Sequence, residues 1–99
     1  MTPGEIIQGA QADGVELIVS QAGAIKATGD GVAVERWIPA IREHKDLILE
    51  HLSQEQAVLT WLASIGEADP SIIAATVAKC RRDPDALAYF LTHAAEVAL

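Results

Sequence analysis

Between Val32 and Leu52 the apolar positions Val34, Trp37, Ile41, Ile48 and Leu52 recur at steps of three, four and seven. Those steps put them on one stripe of a helix. His44 falls on the edge of the stripe, and Arg36, Glu43 and Glu50 point away from it. Pro39 interrupts the pattern, because proline has no N–H and its ring collides with the preceding turn. The spacing therefore predicts a turn or short helix over 33–37 leading into a helix that runs on past Pro39. A further break near His44 stays open.

Upstream the period changes. Thr2-Pro3-Gly4-Glu5 has the form of a capping box with proline at the first helical position, and Ile6, Ile7 and Ala10 follow on one face. A short helix is expected over 3–13, stopped by Asp13-Gly14. Residues 15–20 alternate, with Val15, Leu17 and Val19 on one side of a pleat. Gln21-Ala22-Gly23 is a turn of hairpin length, and Ala24 to Thr28 reads as a second strand. Gly29-Asp30-Gly31 reads as a loop. Two strands alone are marginal in water, so the hairpin is expected to lie on the Trp37–Ile41–Ile48 stripe and the first helix, with Trp37 and Ile41 beneath Leu17.

Downstream, Ser53-Gln54-Glu55-Gln56 has the form of a second capping box, with Val58, Trp61, Leu62 and Ile65 as the apolar face behind it and Gly66 as its stop. Asp69-Pro70 and Asp83-Pro84 each combine an N-cap residue with a proline suited to the first turn. Val77 and Cys80 continue one face, and Leu87, Phe90, Leu91 and Ala94 the other. The expected fold class is α+β: an α-β-β-α-α module over 1–52, a small antiparallel hairpin packed on helices, followed by three C-terminal helices over 53–99 that pack on the first half. Trp61 is expected to touch the C-terminal helices.

Charge narrows the function classes. The chain carries 14 acidic and 7 basic residues, a net charge of −7. Both halves share the acidic excess, so no basic pole exists for nucleic-acid phosphate. A single cysteine, Cys80, excludes an internal disulfide and points to a reducing compartment. No secretory leader or membrane span is read in the chain, and a cytoplasmic location is expected.

Candidate chemistry is sparse. His44 and His51 are two helical turns apart, about 10 Å, whereas zinc ligands bind at about 2 Å; no metal or cofactor is expected. Cys80, with Lys79, Arg81 and Arg82 nearby to lower its pKa, could be a nucleophile, but its place on an apolar face favours a core role. Lys79, Arg81 and Arg82 fit a helix C-terminus, whose dipole favours cations. Nothing forms a nucleophile elbow, a Walker loop or a dinucleotide fingerprint, and no enzymatic activity is expected.

The strand Ala24–Thr28 is different. As the outer strand of a ribbon it would leave a row of backbone groups unpaired, a template for an incoming strand. Lys26 at its centre is either a guard against aggregation or a charge that greets an acidic peptide. The order of a short helix, Gly14-Val15-Glu16-Leu17, a tight turn and Gly23-Ala24-Ile25 is followed by Arg42-Glu43-His44-Lys45 with Ile48-Leu49 and Leu52. Together these resemble the N-terminal docking domain of hybrid non-ribosomal peptide and polyketide synthetases of the tubulysin-synthetase type. The resemblance covers residues 3–52. It implies an α-β-β-α-α module, often a homodimer, that receives a linear C-terminal peptide from an upstream subunit at the hairpin edge. The matching positions are Ile25, Lys26, Ala27 and Thr28 for the edge, with Arg42 and Lys45 as charge partners.

The functional expectation is a non-catalytic interaction module, its expected partners being a peptide or subunit of a larger assembly and a second copy of the chain, with no nucleic acid or membrane among them. Two alternatives stand beside it: an accessory or regulatory subunit acting through its C-terminal helical face, and an acidic protein that mimics nucleic acid.

Overall fold

A computed structural model describes residues 2–97, with side chains placed through residue 94. In chain order the elements are α1 (Pro3–Ala12), β1 (Glu16–Val19), β2 (Ile25–Thr28), α2 (Gly31–Glu43), α3 (Lys45–Ser64), α4 (Pro70–Arg82) and α5 (Pro84–Val97). The class is α+β: one antiparallel hairpin among helices. The chain divides into two compact units between Leu52 and Ser53.

In the first unit, α1 begins where Thr2 accepts the Glu5 N–H at 3.2 Å through its hydroxyl, which satisfies one of the helix's orphan donors. It ends in a Schellman turn: Val15 N–H donates to the Ala10 carbonyl at 2.8 Å and Gly14 N–H to that of Gln11 at 3.0 Å. Gly14 takes a φ of 83° there, a conformation that costs a side-chain-bearing residue. The turn drops Val15 directly into the core. Ile6, Ile7, Ala10, Val15, Leu17, Ala33, Ile41 and Ile48 form that core, with Ile25, Ala27, Val34, Trp37 and Leu52 packed against it. Burying each large aliphatic side chain contributes about 1.5–3 kcal/mol. Val19, expected on the inner side with Val15 and Leu17, is exposed, since it lies at the turn end of the strand.

The region after the hairpin corrects the expected interruption. Asp30 is an N-cap that accepts the Ala33 N–H at 3.3 Å, so Gly31 opens a helix instead of continuing a loop. The helix then runs through Pro39 without a break, to Glu43. Pro39 lies on the exposed side, where the carbonyl deprived of its donor can turn to water. The break falls at His44, which caps α2 before α3 starts at Lys45. The apolar stripe of 34–52 is thus shared by two helices.

A second correction concerns Ser53. No helix begins there; α3 is continuous over 20 residues. Residues after Leu52 therefore hold the rest of α3 and two further helices, not three new ones. Buried positions on both sides of Ser53, Ile48 before it and Glu55 and Val58 after it, keep one helical period running through the polar stretch.

The second unit has its own core of Val58, Leu62, Cys80 and Leu87, with Trp61, Ile73, Phe90 and Leu91 packed against it. Gly66 and Glu67 close α3 with the same pair of Schellman bonds, to Ala63 at 3.1 Å and Leu62 at 2.9 Å. Both expected Asp-Pro starts are present. Asp69 accepts the Ser71 N–H at 2.9 Å and Asp83 the Asp85 N–H at 3.0 Å. Trp61 meets Phe90 of α5, with ring centroids 6.0 Å apart. Among the described residues no helix is long and apolar enough to cross a membrane.

Candidate functional site: the outer edge of the hairpin

β1 and β2 pair antiparallel with Glu16 opposite Thr28, Leu17 opposite Ala27, Ile18 opposite Lys26 and Val19 opposite Ile25. The connection is a three-residue loop. Gly23 N–H donates to the Ser20 carbonyl at 3.0 Å, and Ser20 N–H to the Ala24 carbonyl at 2.7 Å. Gly23 at φ 76° supplies the left-handed residue this turn demands, and the Ser20 hydroxyl accepts the Ala24 N–H at 3.2 Å.

That closing pair sets the direction of every backbone group on β2. Bonded and non-bonded pairs alternate along an antiparallel ladder. With Ser20 and Ala24 bonded, the next bonded pairs are Ile18–Lys26 and Glu16–Thr28. Ile25 and Ala27 therefore turn their N–H and C=O groups away from β1. The sheet has only these two strands among the described residues, and no backbone bond outside the hairpin takes up Ile25 or Ala27. This is an open, hydrogen-bonding edge.

The side chains divide by face. Ile25 and Ala27 pack against the first core. Lys26 and Thr28 are exposed on the other face, beside Glu16 and Ile18 of β1. Lys26 makes no hydrogen bond or ion pair with the described residues, so its charge is available to a partner.

The other two expected residues sit elsewhere. Arg42 closes α2 and Lys45 opens α3, both exposed on either side of the half-buried His44. Neither has an ion pair among the described residues, and neither is hydrogen-bonded to β2. The structure thus brings Ile25, Lys26, Ala27 and Thr28 together on one edge, and leaves Arg42 and Lys45 as a separate basic pair at a helix junction.

Glu55 and Arg81 form a two-pronged ion pair, Nε to Oε2 and Nη2 to Oε1, each at 3.1 Å. Glu55 is 6% exposed. No short-range spacing in the sequence joins Glu55 to Arg81; the one signal is that Glu55 shares the helical face of Val58 and Leu62. Arg81 is therefore not available to activate Cys80. Burial chiefly, and the Glu55 carboxylate next, push the Cys80 thiol above its ordinary pKa, opposite to the lowering expected from the basic neighbours. Cys80 is a core residue, 2% exposed, with a poor thiolate. Among the described residues no three His, Cys, Asp or Glu side chains gather as a metal site.

Tyr89, Phe90 and His93 of α5 meet Trp61 in an aromatic group. Tyr89 lies edge-on to His93 at 4.5 Å, and His93 stacks near Trp61 at 5.9 Å. These contacts fill the helix interface and leave only Tyr89 largely exposed. Comparison with known protein families, characterised proteins and solved structures returned no match.

Proposed function

We propose that the chain is a non-catalytic docking module, of the kind its residues 3–52 resemble, which takes a linear peptide as a third strand on β2. One observation carries this reading: the backbone groups of Ile25 and Ala27 face outward with no partner strand. Strand addition draws affinity from such groups and selectivity from alternate side chains. A strand added antiparallel places two of its residues opposite Ile25 and Ala27, on the core side of the sheet, where apolar side chains are favoured. The residue between them lies opposite Lys26 in a non-bonded pair, where side chains approach most closely. A carboxylate there complements Lys26. The partner is thus an extended apolar–acidic–apolar segment of another protein in the same reducing cytoplasm. Homodimerisation belongs to the reading as well, through apolar side chains exposed in the second unit, Ile65, Ile72 and Tyr89.

The test is selection from a displayed library of random linear peptides, with the intact chain and its Ala27→Pro variant as baits. Proline at residue 27 removes the outward N–H while leaving the bonds to β1 intact. Enrichment of apolar–acidic–apolar peptides by the unaltered chain alone supports strand addition. Peptides selected equally by both baits, and lost with Arg82→Glu, would move the working surface to the C-terminal helices.

A further inference from the structure

An open edge is as good a template for a second copy of the same chain as for a foreign peptide. We infer that Lys26 makes this edge reject its own copy, so that the β2 edge pairs only with strands that are not β2. Register decides which pairings the edge can make. In a two-fold antiparallel pairing of β2 with β2 of a second copy, outward-facing residues must bond to outward-facing residues. Only Ile25 and Ala27 face outward within the strand.

Three two-fold registers follow. Pairing Ile25 with Ile25 of the copy carries Ala27 toward Gly23, whose N–H is already donated to Ser20 at 3.0 Å within the turn. Pairing Ala27 with Ala27 carries Ile25 toward Gly29, whose φ of 147° has left the strand conformation. Each leaves outward groups unbonded. The remaining register pairs Ile25 with Ala27 and Ala27 with Ile25, and uses every outward group of both strands. In that register Lys26 stands directly opposite Lys26, a non-bonded pair with Cα atoms about 4.5 Å apart. Like charges placed so are destabilising. The one register that would satisfy both edges is the one that opposes the two ammonium groups.

Glu16 does not relieve this, since no ion pair joins it to Lys26 among the described residues. Glu16 shares the exposed face with Lys26, but it lies opposite Thr28 on the far strand, one pair along. The neighbour directly across from Lys26 on its own sheet is Ile18, which is apolar and 40% exposed. Without the lysine, that face would present Ile18 beside an open edge, the flat apolar arrangement that invites edge-to-edge association. The inference is independent of whether a natural peptide partner exists, because it concerns only what the edge excludes.

The experiment is sedimentation of the full chain with three variants. Lys26→Val is expected to add a self-association step absent from the unaltered chain, and Ala27→Pro on top of it to remove that step. Lys26→Glu alone should behave like the unaltered chain, since two carboxylates now face each other. An equimolar mixture of Lys26→Glu with the unaltered chain should associate through this edge, which neither does alone, and lose that association in high salt. A dimer through another surface does not confuse the result, because Ala27→Pro would leave it untouched. The inference is overturned if Lys26→Val sediments as the unaltered chain does. It is also overturned if the unaltered chain already self-associates in a form that Ala27→Pro abolishes.

Discussion

A Cβ on Gly9 would stand 2.6 Å from Cη2 of Trp37, closer than any unstrained contact allows. The Trp37 ring is held there from its other side, where Nε1 donates to Asp13 Oδ2 at 2.8 Å. Arg36 reaches the same oxygen at 3.3 Å. Glycine in the middle of α1 is thus the condition for seating α2 on α1. Gly9→Ala gains about 1 kcal/mol of helix propensity but forces the ring out of place, at about 1–3 kcal/mol for overpacking. The expected net effect is a loss near 1 kcal/mol by urea denaturation. In a Trp37→Leu background the same change should become stabilising, and a cycle without that change of sign would show that the ring is not the obstacle.

Ser53 offers a sharp comparison between a cap and an interior residue. As an N-cap, its replacement by alanine would cost about 1 kcal/mol. As an interior residue of α3, which the structure makes it, the same replacement should be neutral or stabilising by up to about 0.5 kcal/mol. A thermal or urea midpoint that falls on Ser53→Ala would mean that the helix restarts at residue 53.

These two positions show which features the chain declares locally. The starts at Thr2, Asp69 and Asp83 were legible because a cap and a proline act within one turn. The hairpin was legible because Val15, Leu17 and the Gly23 turn set its period and reversal without outside help. Ser53 misled because a capping box and a polar stretch on the outer side of a helix look alike in sequence. Only the burial of Ile48 and Val58 on either side distinguishes them. Pro39 misled because its consequence depends on whether the ring faces solvent or a neighbour. At the candidate site, residues 25–28 were legible as a strand. That Ile25 and Ala27 face outward follows from the Ser20–Ala24 bond, a property of the turn that no residue of the strand announces.

The Glu55–Arg81 pair should behave as a buried one. Removing a single partner leaves a charge in the core, at about 3 kcal/mol, so Arg81→Met should lower the urea midpoint strongly. Replacing both, as Glu55→Leu with Arg81→Met, should recover most of that loss, because two well-packed apolar groups replace a desolvated pair. A single variant within about 1 kcal/mol of the unaltered chain would instead place the pair in the class of solvent-screened surface bridges.

Cys80 makes an alkaline prediction. Its thiol has a higher pKa folded than unfolded, so the folded state holds the proton more tightly. The contribution is fully present below the unfolded value and is lost as pH rises through the folded one. Stability should therefore decline above about pH 8.5, and the decline should flatten in Cys80→Ala, which starts lower because of its small cavity. At pH 8 a thiol reagent should react only as fast as the second unit opens. Immediate reaction in the folded protein would contradict the burial.

The charge at the edge can be tested once library selection has supplied a peptide with a carboxylate opposite Lys26. Lys26→Glu turns an attraction into a repulsion at an exposed position, so the loss should be on the order of 1 kcal/mol and shrink as salt rises. Neutralising the peptide's carboxylate should reduce that salt dependence in the unaltered chain and relieve the penalty in the variant. Arg82→Glu is the matched control, because it makes the same change of charge at the exposed end of α4. Titration calorimetry at low and high salt separates the two cases. Equal losses for Lys26→Glu and Arg82→Glu would reduce the effect to net charge, whereas a loss confined to Lys26→Glu, shrinking with salt, requires the peptide to lie along β2.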